Sequence, residues 1–383
     1  MALRRLLLVA EVGLAMVLVV GAGLLARSLV ALSAVDPGFE PEGRVVLELA
    51  ADPARYPEAE RRQALFERVL ERVEAVPGVR AAALATTLPF GRGSAVLSLA
   101  VPGSEELHFA WLTGVGPGYF RTLGIPVLEG RDFSAADGAG SRAAVVSAAT
   151  ARALWPGESA VGRRIPRDED DELEVVGVVG DVRHQSLADE PGLTLYQPFE
   201  ALGGARAAVV ARVETRPELL AADLRQAVWS VDPDQPVARV APFTELLGGS
   251  LREPRATSAL FASFAVLTAL LSALGLYGLM AELVTRRTHE IGVRMALGAG
   301  RRRVVGLMLR RALALAAVGV AAGALAAYLA SRFLESLLFA VAPTDPPTYA
   351  AVAGLLLGLA AVAAWAPARR AAATDPAAAL KVE

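Results

Sequence analysis

The chain contains no cysteine. That absence excludes disulfides, thiol nucleophiles and cysteine-ligated metals together. Lysine is nearly absent as well, since the only one is Lys381, in the last three residues. A phosphate-binding loop of the Walker type needs a lysine after a glycine-rich turn, and none exists here, so any ATP that drives this protein is bound by another polypeptide. Histidine is limited to His108, His184 and His289. His289 and Glu290 begin a zinc-protease-like pair, but Val293 stands where the second histidine is needed. His108 and His184 have no neighbouring histidine and are expected at solvated surface or loop positions. The run Gly91-Arg92-Gly93-Ser94 fails as a nucleophile elbow because Val96 replaces the closing glycine. With a formal net charge of -2, no global basic field recruits nucleic acid. No catalytic residue, cofactor site or metal site is therefore expected, and the chain reads as a non-enzyme.

What the chain has in quantity is apolar sequence. Four stretches, 6–26, 257–284, 312–330 and 349–367, each approach the roughly 20 residues that a helix needs to cross a hydrocarbon core about 30 Å thick. Arginines set their orientation. Arg4 and Arg5 precede the first stretch, eight arginines lie between the second and third, and Arg369, Arg370 and Lys381 follow the fourth. The positive-inside rule then makes residues 1–5, the 285–311 loop and the 368–383 tail cytoplasmic. The same rule places 27–256 and the 331–348 link outside. The competing reading of residues 1–26 as a cleaved signal peptide meets too long an apolar run and no small-x-small cleavage site. Two acids fall inside these stretches. Glu11, near the cytoplasmic edge, suits snorkelling or pairing with an arginine, and Glu282 has Arg286 four residues on.

The 27–256 region has internal order. A strand at 45–50 is followed by a helix from Pro57 with Leu65, Val69, Val73 and Val76 on one face, and by a strand at 79–86. The same order recurs at 207–213, then in a helix from Pro217 carrying Leu220, Leu224, Val228 and Val231, then at 236–240. Between the two units lies an insertion, about 110–200, with short strands such as 143–147 and 173–179. The apolar helix faces read as core against a sheet.

Six runs carry a resemblance: DPGF (36–39), PGYFRTLGIPVLEGRDF (117–133), VVGVVGDVRH (175–184), HEIGVRMALGA (289–299), PTDPPTY (343–349) and PARRAAATDPAAAL (367–380). In order and over essentially the whole chain they resemble MacB/FtsX-type permeases of ABC transport systems, closest to the second half of the duplicated members. The resemblance implies an α-helical membrane protein with four transmembrane helices, an FtsX-like permease region at 257–383, and a large extracytoplasmic α+β domain. That domain would be a MacB-like periplasmic core whose second subdomain is inserted in the first. It also implies a multi-pass protein of the bacterial inner membrane with a partner ABC-type ATPase. The chain opens at the helix that would begin the second half of a duplicated permease, so it reads either as a single-copy subunit or as a piece of a longer gene. In both cases a second permease half is needed, as a homodimer or a duplicated copy.

Two groups of residues are candidates for function. In the cytoplasmic loop, Ile291 and Met295 share a helical face, Glu290 and Arg294 form an i, i+4 pair, Gly292 allows close approach and Gly298 can end the helix. This segment resembles the family's coupling helix and would dock in a groove on the ATPase; the competing reading lays it on the membrane surface. In the membrane, Gly319-x-x-x-Gly323 and Gly354-x-x-x-Gly358 offer smooth faces for helix packing, either with a second half or among the four helices of one subunit. The function expected is that of a permease coupling ATP hydrolysis in the partner to a conformational change of the outside domain. The purpose would be export or mechanotransmission of a hydrophobic substrate, peptide or lipoprotein. The alternative is a transmembrane signal transducer or scaffold that regulates a cell-wall hydrolase or senses a ligand without transport.

Overall fold

The computed structural model describes residues 2–91, 93–100, 107–168, 171–286 and 300–373. In chain order its elements begin with α1 (Ala2–Ser33), β1 (Arg44–Ala50), α2 (Ala59–Glu74) and β2 (Val79–Ala85). There follow β3 (Ala95–Ala100), β4 (Leu107–Val115), α3 (Tyr119–Leu123), β5 (Val127–Gly130), β6 (Ala143–Ser147), α4 (Ala148–Leu154), β7 (Arg164–Asp168), β8 (Asp171–Val179), β9 (Leu193–Pro198) and α5 (Phe199–Leu202). The chain continues through β10 (Arg206–Val213), α6 (Pro217–Val231), β11 (Val237–Pro242), α7 (Phe243–Ser250), α8 (Arg252–Arg286), α9 (Arg301–Ser331), a 3₁₀ turn (Arg332–Leu337) and α10 (Pro346–Ala373). These elements form two compact units, a helix unit of 1–34 and 252–383 and a sheet unit of Val35–Leu251.

The sheet unit is built on two interleaved strand-helix-strand units. In the order β11-β1-β10-β2, every neighbouring pair is antiparallel, so each unit's two strands are split by a strand of the other. This is the ferredoxin-like arrangement. Neither unit can close alone, because the gap between its own strands must be filled. The helices cover one face: Leu65, Phe66, Val69 and Val73 of α2 and Leu220, Leu224 and Val228 of α6 are buried against Val45, Leu47, Val209 and Ala211. The opposite face carries Val46, Ala83 and Val210, packed with Phe39, Phe120, Phe243 and Leu246. Because both faces are covered, β1 is apolar nearly throughout and does not alternate.

Between β2 and β10 the chain makes a long excursion that extends the same sheet in the order β2-β4-β9-β6-β8-β5. The link to β2 is one residue pair, Ala85 opposite Val115. Strand β3 pairs with β4 along its whole length. The excursion therefore starts just after Ala85 and is wider than the 110–200 suggested by composition. Its own core of Leu99, Val146, Leu154, Ile165, Val175 and Leu195 is separate from the two clusters beneath β1 and β10.

The helix unit holds four helices long and apolar enough to cross a membrane, within Leu3–Ser33, Arg252–Arg286, Arg301–Leu337 and Pro346–Arg370. Each carries a long, mostly apolar stretch in helical form, which satisfies backbone groups within the segment as lipid requires. Both α1 and α10 pack against α8 and α9. The buried line along α1 is Leu8, Val12, Ala15, Met16, Val20 and Leu24, joined by Leu276, Ala312, Ala316, Val320 and Leu356 from the other helices. Large apolar side chains point outward instead, among them Leu267, Leu271, Leu274, Val318, Leu325 and Val362.

Candidate functional site in the helix bundle

The tightest contact in the helix unit is made where side chains are missing. A Cβ added at Gly323 of α9 would stand 2.5 Å from the Gly13 carbonyl oxygen and 2.6 Å from Met16 Cβ, both on α1. One added at Gly319 would meet Val12 Cβ at 2.8 Å and the Val9 carbonyl oxygen at 3.0 Å. These two glycines let the α9 and α1 backbones touch, the usual means of holding helices together where lipid is as apolar as the side chains. Gly354 and Gly358 of α10, at the same spacing, face open space: a Cβ at either would meet nothing within 4 Å.

Polar side chains clamp α1 at both ends. At one end Glu282 of α8 accepts from Arg4 of α1 and from Arg286, which donates from its Nε to Oε1 at 3.0 Å. Arg286 is the partner that the i, i+4 spacing suggests, whereas Arg4 is 278 residues away. At the other end Arg27 pairs with Asp345. Asp345 precedes Pro346 and caps α10, accepting from the Thr348 amide at 3.0 Å and its hydroxyl at 2.6 Å. A capping acid, proline at the first helical position and a hydroxyl at the third explain the run DPPT physically. Thr348, with Arg27 beyond it, holds the Asp345 carboxyl below its usual range. The Phe339 amide donates to Ser28 Oγ at 2.8 Å, which fastens the link between α9 and α10 to α1. The run 345–348 holds a local signal that could have located the cap, an acid before proline with a hydroxyl three residues on; Arg4, Arg27 and Ser28 gave no local sign of their partners.

The other candidates divide by place. Glu290, Ile291, Gly292, Arg294, Met295 and Gly298 lie outside the described residues, between the ends of α8 and α9. The Glu11 carboxylate rests against α8, where a Cβ on Gly275 would meet its Oε2 at 2.5 Å. His184 corrects an expectation. It is buried rather than solvated, with Nε2 2.9 Å from Thr194 Oγ1 and its ring stacked on Trp111 at 5.6 Å. Burial pushes its pKa down to about 4. The clue was the alternation after β8, because Val182, two residues earlier, is fully buried. In the sheet unit a cavity of about 260 Å³ opens beside β1 and β10, lined among others by Glu48, Ala50, Arg206 and Ala208. Among the described residues, no group of three or more histidine, aspartate or glutamate side chains could hold a metal.

Comparison with known proteins assigns both units. Residues 12–260 match the MacB-like periplasmic core domain, and residues 262–376 match the FtsX-like permease C-terminal domain. The macrolide export ATP-binding/permease protein MacB of Marinobacter nauticus is 29% identical over 276 residues, 67% of this chain and 41% of the relative. The Escherichia coli protein of the same name is 25% identical over 308 residues, 72% of this chain and 45% of the relative. The chain thus spans less than half the length of these curated relatives. The solved periplasmic region of MacB from Actinobacillus actinomycetemcomitans aligns with 56% of this chain and 95% of its own, at a TM-score of 0.39 and 14% identity. The core-domain match alone covers more than half the sequence and the permease match most of the remainder, so the chain belongs to the MacB/FtsX-type family of ABC permeases.

Proposed function

We propose that this chain is the membrane-embedded half of an ABC-type system in which a partner ATPase supplies the energy and the sheet unit, outside the membrane, does the work. The supporting observation is the way α1 and α8 bracket the sheet unit in sequence and are clamped to each other at their far ends by Arg4, Glu282 and Arg286. The 285–300 segment follows that clamp directly. A displacement there is carried by two helices that continue into the two ends of the sheet unit. Both termini and this segment are cytoplasmic in this reading, four crossings span a bacterial inner membrane, and a second permease half completes the transport unit. The partner's nucleotide states provide the differential energy that any driven population shift requires. The cargo class that suits the reading is a hydrophobic compound, peptide or lipoprotein taken up outside the membrane.

Met295→Asp tests the proposal at its point of coupling. Burying a methionine or isoleucine side chain is worth roughly 1.5–3 kcal/mol, so the variant should hold the ABC-type ATPase that co-purifies with the wild-type chain at least tenfold more weakly. Membrane insertion should be unchanged. A variant that inserts normally and keeps full ATPase binding and stimulation would replace docking by a membrane-surface role for the segment. A complex that hydrolyses ATP and alters a bound enzyme while moving no cargo would favour signal transduction over transport.

A further inference from the structure

The outward face of α10 is a single stripe of Leu355, Leu355's neighbours a turn on at Gly358 and Val362, then Trp365 and Arg369, all exposed. Arg369 lies 23 residues beyond the helix start at Pro346. At about 1.5 Å per residue that is roughly 35 Å, enough to clear a hydrocarbon core about 30 Å thick and reach the headgroups. Trp365, one turn before it, falls at the boundary where indole rings concentrate. The Arg369 guanidinium lies over that ring at 4.6 Å from its centroid. With its flat face on the indole, the guanidinium keeps its edge N–H groups for a planar or tetrahedral anion.

Among the described residues, no side chain supplies that anion to Arg369. Val304 and Met308 pack beside Ala368, so the first turns of α9, which begin with Arg301, Arg302 and Arg303, lie next to the last turns of α10. Among the described residues, none of Arg301, Arg302, Arg303, Arg310, Arg311 and Arg369 has a carboxylate partner. Glu282, the acid at the same end of α8, is already held by Arg4 and Arg286. At the opposite end Arg27 is matched by Asp345. We infer that the α9–α10 corner centred on Arg369 and Trp365 binds the phosphate of an anionic phospholipid. The corner presents cations unmatched among the described residues and an interfacial aromatic ring at headgroup depth, with its apolar stripe running down into the chains. A soluble protein partner would have no use for that stripe.

The other tryptophans, Trp111, Trp155 and Trp229, all lie in the sheet unit, so Trp365 reports on this corner. The full chain is reconstituted in bilayers holding a rising series of mole fractions of brominated phosphatidylglycerol or brominated phosphatidylcholine, and the quenching lost in Trp365→Phe is taken as the Trp365 signal. Phosphatidylglycerol should quench at about fivefold lower mole fraction, equivalent to about 1 kcal/mol from one surface arginine. Arg369→Gln should bring the two lipids within twofold while phosphatidylcholine quenching stays at the wild-type level, which shows that the helix is still inserted. Equal quenching by both lipids in the wild type would overturn the inference and leave these arginines to a protein partner. An undiminished preference in Arg369→Gln would equally remove Arg369 from the site.

Discussion

The two units of this chain are held together by different physics. In the sheet unit the buried residues are large: Phe66, Phe120, Phe243, Tyr119 and Tyr196 are all less than 2% exposed. In the helix unit the closest contact is made by glycine against backbone, and leucines point outward. Water makes burial itself the driving force, at roughly 25 cal/mol for each Å² of apolar surface. Lipid removes that difference between inside and outside, so helices gain by approaching closely, and the smallest residues mark the seam. Removing side-chain volume should therefore damage one unit, and adding it should damage the other.

The largest effect is expected in the sheet unit. Phe66→Ala empties a site between α2 and the sheet and should cost about 3–5 kcal/mol, read as an early unfolding transition of that unit by Trp155 and Trp229 emission. The Trp365 signal of the helix unit should stay in place; a simultaneous loss of both would show that the units do not stand independently.

Acid should weaken the sheet unit through His184. The imidazole titrates near 6.5 in the unfolded chain and near 4 in the fold. Above pH 6.5 both forms are neutral and its burial is unopposed. Between pH 6.5 and 4 only the unfolded chain takes up the proton, so stability falls as pH falls, by about 3 kcal/mol in all, and then levels off. Unfolding midpoints followed at Trp111, which stacks on His184, should show this slope, and His184→Gln should flatten it. An unchanged slope in the variant would assign the acid sensitivity to other groups.

The glycine pairs sharpen the contrast within the helix unit. At Gly323 an added methyl group meets backbone, so Gly323→Ala should cost about 1–3 kcal/mol in a detergent or bilayer unfolding assay. Gly354→Ala has open space before it and replaces a poor helix former with the best one. It should change stability by less than about 1 kcal/mol, on the stabilising side. Equal losses at both positions would mean that the α10 face is covered by a neighbour, such as a second permease half.

These two pairs also show what the sequence can and cannot convey. Their identical spacing identifies smooth helix faces, but the partner that fills one and not the other depends on where α1 lies, which no local pattern records. The four membrane helices were legible because lipid demands long apolar runs whatever the tertiary structure. The two strand-helix-strand units were legible from their periodic faces, Leu65 to Val73 and Leu220 to Val228. Their interleaving was not, since β1 and β10 pair across more than 150 residues. His184 was misjudged because a histidine that follows a strand resembles a loop residue until Trp111 and Thr194 fold over it. The clamp between Arg4 and Glu282 is a contact between chain ends, and only Arg286, its local member, could be foreseen.

The coupling proposal is tested most directly by measuring whether nucleotide on the partner moves the sheet unit against the helix unit. Cysteines introduced together into this cysteine-free chain at Arg72 on α2 and Glu335 in the turn after α9, both exposed, can carry a pair of spin labels in the assembled complex. Their distance distribution should differ between the ATP-bound and ADP-bound ATPase, and Met295→Asp should abolish the difference. One distribution in both nucleotide states, in a complex that hydrolyses ATP at its normal rate, would contradict mechanical coupling.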